Sequence, residues 1–299
     1  MDTNTLKKHQ PSMTLDEQIQ NLRSKGLIID HMDYARSVLR DISYFRLIKA
    51  YSLGLKMKNG NYRENTRFED IVQLYLFNTD FKHALFPQVE KIEIVLRSRL
   101  SNYFCNKYGV LGYLDKNNFS VSEDKYASFS DELQKEINRN VQKPFIKNFQ
   151  SNYIGGQIPL YALVEIISFG KLSKFYKNMK NEDKKAIASQ YGIAYTYFES
   201  WLENLSYVRN ICAHYGRLYN ATITKPPRLY KHHTKEGIRN TSVFATLLVV
   251  KQLLPNDIHW LEFVQKVELL IKKYPCVKLS YIGFPQNWSD ILKSETIDK

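Results

Sequence analysis

Apolar residues recur every three or four positions along almost the whole chain, and the alternation typical of strands is scarce. Because one face of an amphipathic helix collects residues at this spacing, the pattern predicts an all-α protein. A capping box, TLDE at 14–17, marks the start of the first helix, with Thr14 as the N-cap residue and Glu17 reaching back. Further helices are expected at about 33–56, 66–108, 158–179, 181–192, 195–215 and 240–274, the last stretch holding two or three of them.

The longest helical pattern, 66–108, opens with TRFE at 66–69, which is a second capping-box pattern. It contains Pro87, which lacks a backbone N–H and should kink or divide the helix. The polar segment 109–157 predicts short helices and loops, and YIGFPQNW at 281–288 predicts an irregular tail. These elements suggest three parts: an N-terminal helical segment at 1–65, a helical core at 66–223, and a basic loop with a C-terminal helical segment at 224–299.

Two predicted helices each carry one charge inside an apolar face. Arg209 lies near the middle of a face formed by Phe198, Trp201, Leu202, Leu205, Val208 and Cys212. Glu93 lies on the apolar stripe of the helix after Pro87. Because a buried and unpaired arginine is costly, we predict that the two helices pack together and that Glu93 meets Arg209, with Arg97 at the margin. Glu165 is the competing partner for Arg209.

The stretch VRNICAHYGRLYN at 208–220 adds His214 five residues after Arg209. These residue types together suit chemistry on a phosphate, since arginine binds phosphate and histidine moves protons near neutral pH. On an unbroken helix, however, His214 points about 140° away from Arg209. Three solutions stay open: the helix distorts or ends near 213–216, the long Arg209 side chain reaches around, or two copies of the motif meet across a dimer.

The spacing of Arg209 and His214 is weak as a signal on its own. With seven histidines and many arginines in the chain, a chance occurrence is ordinary, and Arg228 with His233 is a second one. That second pair follows Pro226 and Pro227 in a basic loop without helical context, so contact with phosphate or plain solvation explains it better than catalysis.

Charge and composition narrow the classes of partner. Lys and Arg total 43 and Asp and Glu total 30, giving a formal net charge of +13 that favours a polyanion such as nucleic acid. No segment approaches the ~20 apolar residues that span a bilayer, and the start lacks a signal-peptide core, so a cytoplasmic protein without a membrane partner is expected. Cys105, Cys212 and Cys276 show no CxxC spacing, so neither a disulfide framework nor a metal site is predicted.

The motif RNxxAHYGRLYN at 209–220 resembles that of HEPN domains, and specifically the Abi-like (AbiD/AbiF) abortive-infection family of phage-defence proteins. Four further stretches resemble motifs of that family in the expected order: SYFRLIKAY at 43–51, KIEIVLRSRL at 91–100, ISFGKLSKFY at 167–176 and IGFPQNW at 282–288. The resemblance covers nearly the whole chain. It implies an all-α, HEPN-like helical bundle with N- and C-terminal helical extensions.

The same resemblance implies a function, because many HEPN domains are metal-independent endoribonucleases that work as dimers. Carried over, Arg209 and His214 would be the catalytic pair, with Asn210, Glu93 and Arg97 supporting them and no cofactor or metal required. The partners would be an RNA substrate and a second copy of the chain, with restraint by a small antitoxin RNA. RNA binding is expected of Arg217, Arg99, Lys171, Lys174 and Arg228.

A second function stays open beside the first. Many HEPN domains bind without cleaving, so the chain could be a non-catalytic helical module that binds RNA or a phage component. Cleavage of RNA in the presence of EDTA, and its loss in His214→Ala, would discriminate the two.

Overall fold

The computed structural model describes residues 11–254 and 258–294, and most of them are helical. Within these ranges there are three isolated β-bridges and no strand, so the predicted all-α class is confirmed. The α-helices are α1 (Leu15–Ser24), α2 (Met32–Asp41), α3 (Phe68–Tyr108), α4 (Glu123–Arg139), α5 (Pro144–Asn152), α6 (Leu160–Leu163), α7 (Phe169–Asn178), α8 (Asn181–Ser189), α9 (Tyr195–Ala213), α10 (Lys231–Lys235), α11 (Val243–Leu253), α12 (Ile258–Lys273) and α13 (Trp288–Lys293).

One of the two predicted capping boxes is confirmed. The Glu17 N–H donates to Thr14 Oγ1 at 3.3 Å, and the Thr14 N–H donates to Glu17 Oε2 at 2.7 Å. The box predicted at 66–69 is wrong. There the Thr66 hydroxyl donates to a preceding carbonyl at 2.7 Å, and the Arg67 N–H donates to Asp70 at 2.8 Å. Asp70 thus makes one half of a capping box, with Arg67 as the N-cap residue, one position later than predicted.

Two of the predicted single helices are each broken into two. After α2, a π-helical turn forms at Phe45–Lys49 instead of a continuing α-helix. After α6, Ser168 starts α7 by accepting a hydrogen bond from the Lys171 N–H at 3.3 Å. Serine is among the strongest N-cap residues, and its side chain competes with a continuous helix at this point. The segment 109–157 is more helical than the predicted short helices and loops, since it contains the 17-residue helix α4.

Helix α3 is 41 residues long and is not divided at Pro87, contrary to one of the two expected outcomes. A proline inside a helix costs about 3 kcal/mol. The apolar residues that flank it, Leu85, Val89 and Ile92, are at most 2% exposed, so their burial offsets that cost. The helix therefore positions Glu93 on a continuous stripe that starts before the proline.

The chain divides into two compact units. The first comprises the described part of Met1–Asp80 with Leu270–Val277, and the second comprises the described parts of Phe81–Leu269 and Lys278–Lys299. All candidate site residues lie in the second unit. These are units of contact and do not test the domain boundaries 1–65, 66–223 and 224–299, which stay a prediction.

The core of the second unit is aromatic. Phe104 belongs to α3, Phe119 to the loop before α4, Phe129 to α4 and Phe175 to α7. Their neighbouring ring centroids lie 5.1–5.8 Å apart. Aromatic pairs at these distances contribute beyond the area they bury. In the described ranges, no helix combines the length with the apolar character that crossing a bilayer demands.

Candidate active site

Helix α9 packs through the apolar face predicted for it. Phe198, Trp201, Leu202, Leu205 and Val208 are at most 2% exposed. Cys212, at the end of the same face, is half-buried, and its burial raises the pKa of the thiol to about 12 although the charge of Lys82 acts in the opposite direction. This thiol is therefore protonated at neutral pH and is no candidate nucleophile.

Glu93 meets Arg209, as predicted. Glu93 is 6% exposed, and its Oε2 lies 3.4 Å from Arg209 Nε. That distance makes an ion pair, but the angles do not make a hydrogen bond, and Nε is buried without a hydrogen-bond partner. The contact is therefore electrostatic and loosely aligned.

Arg97 lies inside the cluster, and the expectation that it would sit at the margin is wrong. Its side chain is 13% exposed, and it donates from Nη2 to Glu93 and from Nη1 to the carbonyl of Val164. Two charge-assisted hydrogen bonds compensate for its loss of water, which is why a second arginine can be buried beside one carboxylate. Glu165, the competing partner proposed for Arg209, is exposed and forms no ion pair with it.

Arg209 keeps part of its binding capacity. Its side chain is 32% exposed, and its guanidinium lies 5.7 Å from the ring centroid of Phe86. Its terminal nitrogens donate to no group among residues 11–254 and 258–294. One carboxylate thus faces two guanidinium groups, which leaves a net positive charge and unused donors. This combination suits an incoming phosphate.

Helix α9 ends at Ala213, within the stretch 213–216 where the first of the three solutions for Arg209 and His214 placed its end. His214 is the C-cap residue, and Tyr215 follows in the left-handed region with φ of 57°. The Gly216 N–H donates to the Ile211 carbonyl at 2.8 Å, which completes a Schellman motif. A Cβ at Gly216 would lie 2.8 Å from Ile211 Cγ2, so only glycine fits there.

The helix end does not bring His214 to Arg209. The His214 N–H still donates to the Asn210 carbonyl at 2.9 Å, so the chain keeps its helical path up to this residue. Its side chain therefore leaves the helix about 140° from that of Arg209. The imidazole is exposed, and no hydrogen bond, ion pair or ring contact joins the two side chains in the described part of the chain. Asn210 is also exposed.

The predicted RNA-binding residues differ in what they already contact. Lys171 pairs with Glu136 at 2.7 Å, and Lys174 pairs with Glu132 at 2.8 Å. Arg99 donates to the Gln190 carbonyl at 3.1 Å and lies 4.3 Å from the ring centroid of Tyr191. These three are engaged internally, and their RNA binding stays a prediction.

The remaining two predicted RNA-binding residues, Arg217 and Arg228, differ in exposure. Arg217 is half-buried, and Arg228 is exposed with a guanidinium that pairs with no group of the described chain. His233, which completed the second occurrence of the Arg–His spacing, is only 5% exposed. Its burial removes that pair from consideration as a surface site.

The sequence did not single out Lys82, which lies beside Tyr215 at the end of α9. Lys82 is 5% exposed, and its Nζ lies 6.0 Å from the ring centroid of Tyr215. It shares a stripe of α3 with Phe86 and Glu93, at spacings of four and eleven residues, and that spacing is a signal that could have revealed it.

Among the described residues, no group of three or more His, Cys, Asp or Glu side chains is placed to hold a metal ion.

Comparisons with known proteins bear on the chain as a whole. No curated protein and no solved structure matches it at the significance required. A family model described as "Abi-like protein" matches residues 37–220, which is more than half of the chain and includes Glu93, Arg209 and His214. The chain belongs to the Abi-like protein family, and this membership supports a role in abortive infection, a defence against phage.

Proposed function

We propose that this protein is a HEPN-type abortive-infection protein of the AbiD/AbiF kind that cleaves RNA without a metal ion through Arg209 and His214. The observation that carries the proposal is the arrangement of Arg209, which Glu93 holds at 3.4 Å while its terminal nitrogens stay unused. Its Nε is buried without a hydrogen-bond partner among the described residues, which is unusual for an arginine with a purely structural role. The net charge of +13 supports an RNA partner.

The chemistry follows from the two residue types. His214, as a base, takes the proton from a ribose 2′-hydroxyl, whose oxygen attacks the adjacent phosphorus while the bond to the 5′-oxygen of the next nucleotide breaks. A water molecule gives the leaving oxygen a proton and recovers one from the protonated His214, so the products are a 2′,3′-cyclic phosphate and a free 5′-hydroxyl. Arg209 holds the phosphate oxygens and stabilises the charge that develops on them. Asn210 and Arg97 support this pair, Asn210 beside Arg209 and Arg97 through Glu93.

The site is proposed to be composite. Within one chain Arg209 and His214 leave α9 in directions about 140° apart, so one phosphate cannot easily reach both. In a homodimer with the C-terminal ends of α9 near the two-fold axis, Arg209 of one copy would face His214 of the other. This arrangement uses both residues without moving either helix.

An RNase of this kind has to be restrained in an uninfected cell, and we propose that a small antitoxin RNA does so in the cytoplasm. The exposed Arg228 is suited to such an RNA, and Arg217 is proposed to contribute to its binding.

A non-catalytic RNA- or phage-component-binding module is the second candidate. The separation of Arg209 and His214 within one chain favours it, because binding does not require the two side chains to converge.

Cleavage of RNA by the purified protein in the presence of EDTA tests the proposal. We expect cleavage by the wild type, and a loss of at least about 100-fold in Arg209→Ala and His214→Ala, since each removes a transition-state contribution. Matched controls are Arg40→Ala and His31→Ala, which change exposed residues of the first unit. Cleavage that persists in both site variants would refute the catalytic assignment, and RNA binding without cleavage by the wild type would establish the second candidate.

Mixing the two inactive variants tests the composite site. A heterodimer of Arg209→Ala with His214→Ala keeps one intact Arg–His combination, so random reassociation should restore roughly a quarter of the activity. No restoration, with co-purification of differently tagged variants showing that mixed dimers form, would place both residues in a single-chain site.

A further inference from the structure

A cavity of about 880 Å³ lies on a different face of α9 from Arg209. Two polar stripes form most of its lining. One is on α7 and comprises Gly170, Ser173, Lys174, Lys177 and Asn178, and the other is on α9 and comprises Glu199, Glu203, Ser206, Tyr207 and Asn210. α7 and α9 pack against each other along their lengths. Because Gly170 and Ser173 are small, the two helices leave an open space between their polar stripes.

The cavity has positive charge that internal pairs do not neutralise. Four lysines line it, and two of them are paired: Lys174 with Glu132 at 2.8 Å and Lys225 with Glu203 at 2.9 Å. The side chains of Lys125 and Lys177 form no hydrogen bond or ion pair in the described part of the chain. Asp124, which also lines the cavity, is a carboxylate without such a pair, so the unpaired charges of the lining are two ammonium groups against one carboxylate and favour an anionic ligand.

Asn178 gives the cavity a built polar contact. The residue is 8% exposed, and its Nδ2 is buried without a hydrogen-bond partner within 11–254 and 258–294. A buried amide donor without a partner is destabilising, and native proteins rarely leave one unless a ligand or water uses it. Asn178 is a residue of the cavity lining, and a ligand with a hydrogen-bond acceptor would satisfy this unused donor.

Tyr207 supplies an aromatic surface. Its ring is half-buried in the lining and makes no ring contact with the described residues. Most buried tyrosines of this protein have such contacts, so an unpartnered ring beside unpaired lysines is informative. A planar base stacked on a tyrosine, with its phosphate near lysines, is the usual way in which proteins hold an unpaired nucleotide.

We propose that this cavity binds a nucleotide, with the phosphate at Lys125 and Lys177, the base on Tyr207 and the Asn178 amide donating to the ligand. His214 follows Tyr207 by seven residues, two helical turns, so the two side chains leave α9 within about 20° of each other. A strand with one base in the cavity would therefore run toward His214. In this respect the inference rests on the proposed function, which makes the nucleotide part of the RNA substrate, whereas a free nucleotide is the other source of the same chemistry.

Binding to the full-length protein tests the proposal. The probes are the four ribonucleoside monophosphates, the matching nucleosides, and a 2′-O-methyl oligoribonucleotide that cannot be cleaved, with affinities measured by calorimetry. Lys177→Ala and Tyr207→Ala should each weaken binding roughly tenfold, and Asn178→Ala should weaken it less. Lys147→Ala is the matched control, since Lys147 is exposed, unpaired and outside the cavity lining.

The outcomes separate this proposal from the endoribonuclease. If the monophosphates bind as predicted, the ligand of the cavity is a free nucleotide. If only the oligonucleotide binds, the ligand is RNA. If Lys177→Ala and Tyr207→Ala bind like the wild type, or Lys147→Ala loses as much, the cavity proposal is wrong, whatever Arg209→Ala does to cleavage. Equal binding of nucleosides and monophosphates would also overturn it. If binding follows the prediction but no RNA is cleaved, the cavity assignment stands and the endoribonuclease fails. Thermal unfolding of each variant checks that Tyr207→Ala remains folded, and Lys177→Ala tests the proposal independently.

Discussion

Asp183 and Glu93, two buried carboxylates of the second unit, are partnered in different ways. Asp183 is completely buried and accepts hydrogen bonds from the hydroxyls of Tyr103 and Tyr108, at 2.9 and 2.8 Å, and from Lys107 at 2.6 Å. The hydrogen bond to Asp183 is the main reason that the pKa of Lys107 is raised above its ordinary value. Both oxygens of this carboxylate therefore accept hydrogen bonds, two at Oδ1 and one at Oδ2.

Glu93 is nearly as buried but is held less completely. It binds Arg97 through a hydrogen bond and Arg209 only through a misaligned ion pair. A fully satisfied network fixes a fold, whereas a partly satisfied one keeps capacity for a ligand. The comparison therefore supports the proposal that Asp183 serves stability and the Glu93–Arg209 pair serves function, and each role has a measurable consequence.

The largest expected effect is on stability at Asp183. Asp183→Ala leaves the hydroxyls of Tyr103 and Tyr108 without their acceptor and Lys107 with Glu182 alone, so the free energy of unfolding should fall by about 3 kcal/mol, as measured by denaturant titration. Glu64→Ala, at an exposed and unpaired position, should change it by less than about 0.5 kcal/mol. A loss at Asp183 no greater than at Glu64 would show that the network does not hold the fold.

Substitutions of the two arginines that face Glu93 should differ in their effect on the free energy of unfolding. Arg97→Met removes the hydrogen-bonded partner of a buried carboxylate and should lower the free energy of unfolding by about 2–3 kcal/mol. Arg209→Met leaves Glu93 bound to Arg97 and should cost less than about 1 kcal/mol, while abolishing the proposed RNA cleavage. If both substitutions cost the same, Arg209 is a structural residue and the comparison with Asp183 fails.

Part of this site was predictable from residue spacing alone. A charge inside an apolar stripe has few ways to be satisfied, so opposite charges on two such stripes indicated the contact between Glu93 and Arg209. Asp183 carried no comparable signal, because it lies in the polar stretch NEDKK and its burial depends on how α8 meets α3. The breaks after α2 and α6 were also missed, since they arise from local capping that competes with a continuous apolar pattern.

The cavity between α7 and α9 shows a second limit of sequence reasoning. Each polar stripe resembles an ordinary solvated helix face, and only the knowledge that α7 packs on α9 shows that the two stripes face one space. The relation of Arg209 to His214 is limited in another way. The angle between them follows from helix geometry, but a site that spans two chains requires the second chain.

Glu136 is a third paired carboxylate, and its contribution to stability should depend on pH. It accepts hydrogen bonds from Lys171 and Arg139, both at 2.7 Å, and the Lys171 hydrogen bond is the first cause that lowers the pKa of this carboxyl from its ordinary value of 4.5. A lowered pKa in the folded state stabilises the protein above the ordinary value, and this stabilisation is lost as the pH falls through the folded value.

Lys171→Met should therefore cost about 1 kcal/mol at pH 7 and flatten the acid dependence of stability below about pH 4.5. Denaturant titrations at several pH values measure both. Arg139→Ala, which removes the more exposed partner, is the matched control and should have a smaller effect. An unchanged acid profile in Lys171→Met, together with weaker RNA binding, would instead assign Lys171 to the RNA-binding role predicted from the sequence.

The smallest expected effect concerns the strained end of α9 beside His214. Tyr215 has φ of 57° and is 75% exposed, and a left-handed conformation is unfavourable for residues with a Cβ. Tyr215→Gly should therefore raise the free energy of unfolding by roughly 0.5–1 kcal/mol relative to Tyr215→Ala, which removes the same ring but keeps the strain. Subtracting the two values isolates the backbone contribution from the loss of the contact with Lys82. If Tyr215→Gly is no more stable than Tyr215→Ala, the helix end is relaxed. Backbone strain would then not distinguish the region of His214 from the surroundings of Asp183.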